Sequence, residues 1–444
     1  MTSMTPTRIL IVGAGGREHA LAWKLASEPG SNEIIVAPGS DAIAAEARVR
    51  CVAGIDPLDP GAVVALARRE AAELVVIGPE APLSAGVTDA LRDAGIAVFG
   101  PSRAAARIES SKSFCHEIAL AAGVPMARAG SFDDPILARP FAAEIAATGH
   151  GVVVKADGLA AGKGVTVCDS VAEADAAIDG LMATDPSGIV VIEERLSGAE
   201  ASLIAICDGR EAVALPLSRD HKRLGDGDSG PNTGGMGAFS PLPDLPDGEI
   251  SSLLATFQRP ILAELARRGT PFRGALYAGL MLTPRGPVLL ECNARFGDPE
   301  TQAILPRLAM ALGPVLLAAA RGELRAVLPA SVLAEGRLPD LPGATVAVVL
   351  AAAGYPARPR TGDQISGLHE AAARGALVFH AGTSIDPGGI VRTAGGRVLS
   401  VVGRGADLAT AREAAMAAAA QIHAAGLQSR HDIALQPMTA GASR

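Results

Sequence analysis

Short apolar runs alternate with helix-like stretches over the first part of the chain. Apolar runs bounded by turn residues predict buried strands, and Ala and Leu at helical spacing predict amphipathic helices. Strands are predicted at 9–12, 33–37, 74–77 and 97–99, and helices at 17–28, 60–72 and 83–94. This alternation is typical of a doubly wound parallel sheet, so we predict an N-terminal α/β domain at 1–105.

Longer elements follow Gly100-Pro101, which marks the end of this domain. Strands are predicted at 152–155, 165–167, 189–192, 201–207, 275–283 and 288–293, and helices at 171–182, 249–268 and 301–321. Further along, strands are predicted at 346–352, 377–381 and 398–403, and a helix at 407–425. We therefore predict a central domain at 106–324, a C-terminal α+β domain at 325–435 and a flexible tail at 436–444.

The composition narrows the classes of protein to which the chain can belong. Of its 444 residues 49% are hydrophobic but 3% are aromatic, so the apolar content is mainly Ala, Val, Leu and Ile, as in α/β proteins. A net charge of −8 without a basic block argues against nucleic-acid and anionic-membrane partners. No CxxC motif, membrane-length apolar run or signal peptide is present, so we expect a soluble cytoplasmic protein.

An apolar run ends in the sequence ECNAR at 291–295, the first candidate for metal chemistry. Strand alternation places Glu291, Asn293 and Arg295 on one face and Cys292 on the other. A carboxylate, an amide oxygen and a guanidinium on one face suit a magnesium ion beside a polyphosphate. An ordinary half-buried strand with its polar face in water explains this stretch equally well.

The first strand leads into a glycine-rich turn, GAGGRE at 13–18, which partly matches a dinucleotide-binding loop. The third glycine of that motif would fall where Glu18 stands, and the second strand ends without the acid that holds a ribose hydroxyl. What remains is a turn at a helix N-terminus, a site for an anion such as a phosphate monoester. A second turn, GPEAP at 78–82, is either a plain connection or part of a substrate site.

A glycine hairpin with the sequence KADGLAAGKGV lies between two predicted strands at 155–165. It differs from a Walker A loop because it is one residue short, has Gly164 where Ser or Thr must reach magnesium, and precedes a strand. Such a hairpin can instead fold over a triphosphate as a mobile flap, with Lys163 and the loop amides over the phosphates. Lys155 would touch the phosphates from the strand end, and a solvated surface position is the alternative.

Two further stretches are candidate parts of a nucleotide site. A predicted strand ends in Glu193-Glu194, which are either solvated or the hinge edge that receives an adenine, with Glu200 free for a ribose hydroxyl pair. The segment 225–237 follows DHKR at 220–223 and is too polar and glycine-rich for a core element. Because long loops inside compact domains are usually functional or disordered, and this one carries several charges, we predict an active-site loop.

Lys112, the hairpin after Lys155, the acids from Glu193 to Glu200 and the ECNAR stretch occur in the order of an ATP-grasp ligase. The chain resembles one family of these enzymes closely, the phosphoribosylamine–glycine ligases, also called glycinamide ribonucleotide synthetases. The stretches that carry the resemblance are GGREHALAW (15–23), IGPEAPL (77–83), KADGLAAGKGV (155–165), DHKR (220–223), GPNTGGMGAFSP (230–241), LYAGLM (276–281), ARFGDPETQ (294–302) and GYPARPRTGD (354–363). Together they are far more specific than any single motif, and the resemblance covers almost all of the chain.

The resemblance implies conversion of ATP, glycine and 5-phosphoribosylamine to glycinamide ribonucleotide, ADP and phosphate through a glycyl phosphate. It also implies a central ATP-grasp fold with a mobile flap subdomain at about 124–196, and Mg²⁺ or Mn²⁺ as the metal. We expect a monomer that binds only small-molecule substrates, with no nucleic acid and no membrane as partner.

The resemblance also assigns residues to roles. ATP-binding residues would be Lys112, Lys155, Gly162, Lys163, Gly164, Glu193, Glu194, Leu196 and Glu200. Substrate-binding residues would be Gly15, Gly16, Arg17, Glu18, Pro79, Glu80 and Asp298. The metal ligands would be Glu291 and Asn293, and the catalytic groups Arg295, Asp220 and Lys222.

Two positions depart from the family pattern. Cys292 stands between the metal ligands in place of the usual Phe, but should face away from them, and Ala199 softens a run that is usually more acidic while keeping Glu200. Two other classes of protein stay open. A different ATP-grasp ligase would share the central motifs but lack the turns at 15–23 and 77–83, and a non-catalytic nucleotide-binding protein should lack the metal face.

Overall fold

A five-stranded parallel sheet forms the N-terminal domain of the structure, a computed structural model that describes residues 5–30, 33–158, 164–184 and 188–435. Its strands are β1 (Arg8–Gly13), β2 (Glu33–Pro38), β3 (Val49–Cys51), β4 (Leu74–Ile77) and β5 (Val98–Phe99), in the order β3-β2-β1-β4-β5. The helices are α1 (Gly16–Ser27), α2 (Pro60–Arg69), α3 (Glu80–Ala85), α4 (Val87–Asp93) and α5 (Arg103–Ser110), and α6 (Lys112–Ala121) follows at the start of the central region. The predicted doubly wound sheet is confirmed, and β3 is an additional strand.

Local chemistry sets where these helices begin and end. The side chains of Asp59, Ser102 and Ser111 cap α2, α5 and α6 by accepting hydrogen bonds from backbone N–H groups of the first turn. Gly86 has a φ of 86° and ends α3, so the single helix predicted at 83–94 is two short helices.

A small antiparallel sheet with two helices follows. Its strands are β6 (Ala129–Phe132), β7 (Val152–Ala156), β8 (Val165–Cys168) and β9 (Val190–Glu194), in the order β6-β9-β7-β8. Helices α7 (Pro135–Ala146) and α8 (Val171–Thr184) pack on the sheet and share with it a hydrophobic core of its own. We call this unit the flap subdomain; the tip of its hairpin, residues 159–163, lies outside the described residues.

A second antiparallel sheet carries the larger lobe of the central region. The strands of this region are β10 (Ala199–Asp208), β11 (Ala212–Ala214), β12 (Arg219–Asp220), β13 (Arg223–Gly225), β14 (Ser229–Asn232), β15 (Gly237–Ser240), β16 (Arg273–Thr283) and β17 (Gly286–Asn293). Four of them form the sheet β11-β10-β16-β17, and β13 pairs with β14 alone. Helices α9 (Ile250–Leu253) and α10 (Arg259–Arg267) are joined by a π-helical turn at Leu254–Gln258.

The helix predicted at 301–321 is divided in the structure. The segment forms α11 (Glu300–Ile304), a 3-10 turn at Leu305–Arg307 that contains Pro306, and α12 (Leu312–Arg321). Two short helices, α13 (Leu324–Val327) and α14 (Ala330–Glu335), lead to the C-terminal part of the chain. Proline lacks the backbone N–H group that would continue the helix, which explains the interruption.

The last sheet joins strands from two predicted domains. It contains β18 (Ala344–Ala351), β19 (Leu377–His380) and β22 (Arg397–Gly405), with β12 and β15 added in the order β12-β15-β18-β22-β19. Helices α15 (Leu368–Ala373) and α16 (Leu408–Ala419) and a hairpin of β20 (Thr383–Ile385) and β21 (Val391–Thr393) complete it. The glycine-rich segment contains β14, which is largely exposed, as expected for a segment that is no core element, and its end leads directly into the fully buried strand β15.

Among the described residues, no helix combines the length and apolar character that crossing a bilayer requires.

Candidate active site

Glu291 and Asn293 project from β17, at one edge of the larger antiparallel sheet. Cys292 between them is 3% exposed, whereas Glu291 and Asn293 are partly exposed, so the predicted alternation is confirmed. Gly279 of β16 stands opposite Glu291, and a Cβ atom there would lie 3.3 Å from Glu291 Cγ. Glycine at this position leaves the carboxylate room to keep its place on the face of the sheet.

Lys222 bridges two carboxylates from different strands. Its Nζ atom lies 3.1 Å from Glu200 Oε2 and 3.4 Å from Glu291 Oε1. Attraction to Lys222 lowers the pKa of Glu291 to about 2. Burial lowers the pKa of Lys222, but Glu200 and Glu291 outweigh it and raise that pKa well above its ordinary value. The carboxylate of Glu200 is paired with Lys222 and its side chain is 34% exposed, so its contact with a ribose hydroxyl pair stays a prediction.

Asp220 lies on β12 and is a third acid near Lys222. Its Oδ1 atom is buried and has no hydrogen-bond partner among the described residues. Burial raises the pKa of this carboxyl well above its ordinary value, although Lys222 opposes the shift. Buried carboxyl oxygens are normally hydrogen-bonded, so one without a partner indicates a group that meets a ligand.

Two lysines lie at the junction of the flap subdomain and α6. Lys155 Nζ lies 2.5 Å from Glu193 Oε2, and Lys112 Nζ donates a hydrogen bond of 2.8 Å to the carbonyl of Gly158. The other oxygen of Glu193 lies 2.9 Å from His116 Nε2. The carboxylate of Glu193, which is 4% exposed, therefore orients Lys155, and its place at the edge that receives an adenine stays a prediction. His116 is a site residue that sequence reasoning missed, because one histidine on a helix gives no signal.

The base of the glycine hairpin is fixed although its tip is not described. Asp157 accepts hydrogen bonds from the backbone and side chain of Ser113, at 3.1 and 2.6 Å. Gly164 returns the chain to the sheet, where its carbonyl accepts the N–H of Ala156. The predicted contacts of Gly162 and Lys163 fall outside the described residues.

The connection from the flap subdomain to the larger lobe runs through Glu194 and Leu196. The backbone N–H of Glu194 donates to the carbonyl of Arg128, and the backbone N–H of Arg195 donates to the carbonyl of Gly151. Both acceptors lie within the flap subdomain. The chain then enters β10, so this segment is the crossing between the two halves, as predicted for a hinge.

Arg295 connects the strand of the metal candidates to the N-terminal domain. Its guanidinium lies 3.1 Å from Glu109 of α5 and 3.5 Å from Glu80, the first residue of α3 after Pro79. Glu109 also accepts the backbone N–H of Ala294 at 2.7 Å. Burial lowers the pKa of Arg295, but the two carboxylates outweigh it and raise that pKa above its ordinary value. Sequence reasoning missed Glu109, which looks like any acid on an amphipathic helix.

The N-terminal turn is shaped by its own acid. Glu18 is 2% exposed and accepts hydrogen bonds from the N–H of Gly15 and from Arg17, both at 2.6 Å. A Cβ atom on Gly78 would lie 2.1 Å from Glu18 Oε1, so the second turn needs glycine to pack against this carboxylate. The N–H groups of Gly16 and Arg17 lie in the first turn of α1, where no intrahelical partner exists. An anion bound there would accept hydrogen bonds from these N–H groups, while Glu18 fixes the conformation of the turn through Gly15.

Asp298 borders this turn from the central region. A Cβ atom on Gly15 would lie 3.8 Å from Asp298 Oδ2, and Asp298 Oδ1 accepts a hydrogen bond of 2.7 Å from Gln302. Arg397 of β22 lies 3.4 Å from Oδ2. Although burial acts in the opposite direction, Arg397 lowers the pKa of Asp298 below its ordinary value. None of the motifs in the sequence includes Arg397, so its contact with Asp298 is a feature that the sequence did not reveal.

Comparison with known proteins assigns the chain to a family. Three family models match it, namely the phosphoribosylglycinamide synthetase N domain at 7–109, ATP-grasp (A) domain at 110–301 and C domain at 345–436. The chain belongs to the phosphoribosylglycinamide synthetase family. The resemblance drawn from the sequence motifs is thereby confirmed.

Relatives of this synthetase family match the chain over nearly its whole length. A phosphoribosylamine–glycine ligase of Streptomyces coelicolor is 49% identical over 430 residues, which cover 96% of this chain and 98% of the relative. One from Caulobacter vibrioides is 45% identical and covers 97% and 98%. A crystal structure of phosphoribosylamine–glycine ligase from Thermotoga maritima superposes with a TM-score of 0.80 at 33% identity, covering 96% of this chain and 100% of that one.

The fold extends beyond the synthetase family. A biotin carboxylase from Campylobacter jejuni has a TM-score of 0.72 at 17% identity, covering 98% of this chain and 95% of that one. At this identity the likeness concerns the fold alone, and the ATP-grasp domain is shown by the family model that matches residues 110–301. Synthetases with an ATP-grasp domain use ATP and a divalent metal.

The donor groups present fit a divalent metal of this kind. Among the described residues, no group of three or more His, Cys, Asp and Glu side chains is arranged to hold a metal ion. Glu291 is nevertheless a carboxylate at neutral pH, and the amide of Asn293 follows it on the same exposed face. Mg²⁺ is commonly bound through one or two protein oxygens, retained waters and substrate phosphates, which this pair allows.

Proposed function

We propose that the chain is a phosphoribosylamine–glycine ligase that catalyses the second step of de novo purine biosynthesis. It joins glycine to 5-phosphoribosylamine at the expense of ATP and gives glycinamide ribonucleotide, ADP and phosphate. The observation that carries the proposal is the position of β17. On this strand Glu291 faces Lys222, and two residues after its end Arg295 reaches Glu80 and Glu109 of the N-terminal domain. A nucleotide side and a substrate side thus meet at one strand.

The reaction has two steps that need no covalent bond to the protein. An oxygen of the glycine carboxylate attacks the γ-phosphorus of ATP, which forms glycyl phosphate and releases ADP. The amine nitrogen of phosphoribosylamine then attacks the glycyl carbonyl, phosphate leaves with the bridging oxygen, and the nitrogen loses a proton. Phosphoryl transfer of this kind depends on positioning and on stabilisation of charge. The arrangement of lysines, arginine and carboxylates supports both.

Residues of the flap subdomain and α6 serve ATP in this proposal. Lys155, oriented by Glu193, and Lys112 neutralise the phosphates, since each ammonium lies at the mouth of the hairpin. Gly162, Lys163 and Gly164 cover the phosphates and exclude water, which would hydrolyse an acyl phosphate. Glu194 and Leu196 offer backbone groups to the adenine at the crossing between the halves.

The metal side is formed by Glu291 and Asn293. When bound, a divalent cation supplies charge neutralisation for the phosphate oxygens. Small hard oxygen donors favour Mg²⁺, with Mn²⁺ as a substitute. Lys222 holds Glu291 and Glu200 in place, and Asp220, whose Oδ1 atom is buried without a hydrogen-bond partner among the described residues, is a further candidate for contact with the reacting groups.

The substrate side lies between the N-terminal turn and Asp298. The N–H groups of Gly16 and Arg17 receive the phosphate of phosphoribosylamine, because the N-terminus of α1 favours an anion. Gly15 permits the close approach of Asp298, and Glu18 keeps the turn in shape. Arg295, held by Glu80 after Pro79, meets the transferring phosphoryl group or the glycine carboxylate.

The proposal includes a monomer that acts in the cytoplasm. One chain supplies the nucleotide, metal and substrate sides, so no second copy is needed to complete the site. Both nucleotide and sugar phosphate are charged molecules found where ATP is made and used. Light scattering at working concentration gives the mass of one chain if this is correct, and twice that mass contradicts it.

The test of the activity is the dependence of phosphate release on both acceptors. With ATP and Mg²⁺, we expect rapid release of phosphate when glycine and phosphoribosylamine are both present, and little with either alone. Substitution of other amines and carboxylates separates this ligase from a different ATP-grasp ligase. Equal release with an unrelated pair, or none with the proposed pair, contradicts the proposal.

A further inference from the structure

Arg397, the first residue of β22, reaches out of the C-terminal domain to two segments of the central region. Its NH1 group donates hydrogen bonds of 2.6 Å to the carbonyl of Gly234 and 2.5 Å to the carbonyl of Asp298. Its NH2 group lies 3.4 Å from the carboxylate of Asp298. One planar guanidinium therefore joins the glycine-rich segment and the segment after β17, which are distant in sequence.

The glycines of the first segment allow this contact. A Cβ atom on Gly234 would lie 3.0 Å from Cζ of Arg397, so the guanidinium packs against the bare backbone. Gly235 has a φ of 109°, and a Cβ atom there would lie 2.5 Å from Cδ of Pro299. The paired glycines of the TGGMG motif are thus explained by close approach to Arg397 on one side and to Pro299 on the other.

Tyr355 makes a second contact between the C-terminal domain and the glycine-rich segment. Its hydroxyl accepts a hydrogen bond of 3.0 Å from the N–H of Gly234. The ring packs against Gly396, the neighbour of Arg397, where a Cβ atom would lie 2.5 Å from the ring. Both backbone groups of Gly234 are therefore bound by side chains of the C-terminal domain.

This arrangement continues to the N-terminal turn. Asp298 Oδ2 lies beside Gly15, and Asp298 Oδ1 accepts a hydrogen bond from Nε2 of Gln302. The same Nε2 atom lies close to Gly16, where a Cβ atom would be 2.8 Å from it. Arg397 thus holds Asp298, and through it Gln302 of α11, in the wall that faces the turn at Gly15-Gly16. A loss of this arginine moves that wall without touching the lysines on the nucleotide side.

We propose that Arg397 is a positioning residue for phosphoribosylamine, through which the C-terminal domain sets the wall of the sugar-phosphate site. The inference rests on the proposed function, because it takes the turn at Gly15-Gly16 as the place of the substrate phosphate. Arg397 acts through Asp298 and Gly234 and makes no contact with the reacting atoms. Its effect therefore falls on the sugar phosphate and not on ATP.

The experiment compares Arg397→Gln and Arg397→Lys with Arg392→Gln. Arg392 is a matched control, since it also binds one carboxylate, Asp386, and one carbonyl, Gly362, but within the C-terminal domain. The measurements are the dissociation constant for the product glycinamide ribonucleotide, by titration calorimetry, and the KM values for phosphoribosylamine and ATP. Loss of hydrogen bonds to a charged group predicts increases of about 10- to 100-fold for the sugar phosphates with Arg397→Gln, with smaller increases for Arg397→Lys.

The outcomes separate this inference from the proposed function. An unchanged KM for ATP together with weaker sugar-phosphate binding supports the inference, whereas equal losses for ATP and phosphoribosylamine, or behaviour like Arg392→Gln, overturn it. Should Arg397→Gln fail to fold, Tyr355→Phe removes one hydrogen bond from Gly234 and must show the same pattern at smaller size. A wild-type protein that neither binds glycinamide ribonucleotide nor uses both acceptors contradicts the proposed function itself.

Discussion

Lys222 keeps Glu291 ionised while leaving it partly exposed, which is the state that a metal ligand requires. The side chain of Glu291 is 44% exposed and its pKa is lowered to about 2, so protonation does not compete with a cation near neutral pH. The ion pair between Glu291 and Lys222 adds little to the stability of the fold, because partly exposed ion pairs are weak. Function and folding are therefore separable at this residue.

Glu291→Gln tests that separation. The substitution keeps the shape of the side chain but removes its charge, so we expect turnover to fall on the order of 100- to 1000-fold while the thermal midpoint stays close to that of the wild type. Steady-state kinetics and thermal unfolding give the two quantities. Glu335→Gln, which alters an exposed acid on α14, is the control and should leave both unchanged. Near-normal turnover in Glu291→Gln contradicts the metal assignment.

His380 gives a prediction about pH. Burial, with a contribution from His19, lowers its pKa from 6.5 to about 4. Between these two values the unfolded chain binds a proton that the folded chain does not, so the free energy of unfolding falls as the pH is lowered from about 6.5 to about 4. Denaturant unfolding at several pH values should show a shallower slope in His380→Asn than in the wild type. His150→Asn, at an exposed position, is the control, and identical slopes in His380→Asn and wild type refute the assignment.

For single elements, the local pattern of residues was sufficient to predict the structure wherever that structure depends on the element alone. The alternation around Cys292 gave the correct faces of β17, because a strand has a fixed side-chain period. The parallel sheet of the N-terminal domain followed from its alternating strands and helices in the same way. The breaks at Gly86 and Pro306 were missed, although glycine and proline are the residues that cause them.

The glycine-rich segment before β15 could not be interpreted locally. Its residues are polar and small, yet it leads into a strand that pairs with β18, more than a hundred residues later in the chain. Pairing at that distance leaves no mark on the periodicity of the segment itself. The close approaches of Gly234 and Gly235 to Arg397 and Pro299 are likewise invisible until the chain is folded.

At the scale of the whole molecule, the site belongs to no single domain. Arg295 links the central region to α3 and α5, and Arg397 links it to the C-terminal domain. The family motifs predicted the chemistry and the residues proposed to take part in it. Pairs such as Lys155 with Glu193, or Arg295 with Glu109, depend on distances that sequence order does not contain. Because all three parts of the chain contribute residues to the proposed site, the recognisable motifs are spread over almost the whole chain.

The central claim is that glycine is activated by phosphorylation before the amine attacks. Glycine labelled with ¹⁸O in both carboxylate oxygens tests it in the complete reaction with ATP, Mg²⁺ and phosphoribosylamine. The account predicts one ¹⁸O atom in each released phosphate and one in each glycinamide ribonucleotide, as read by mass spectrometry. Phosphate without the label, or label in ADP, would contradict it.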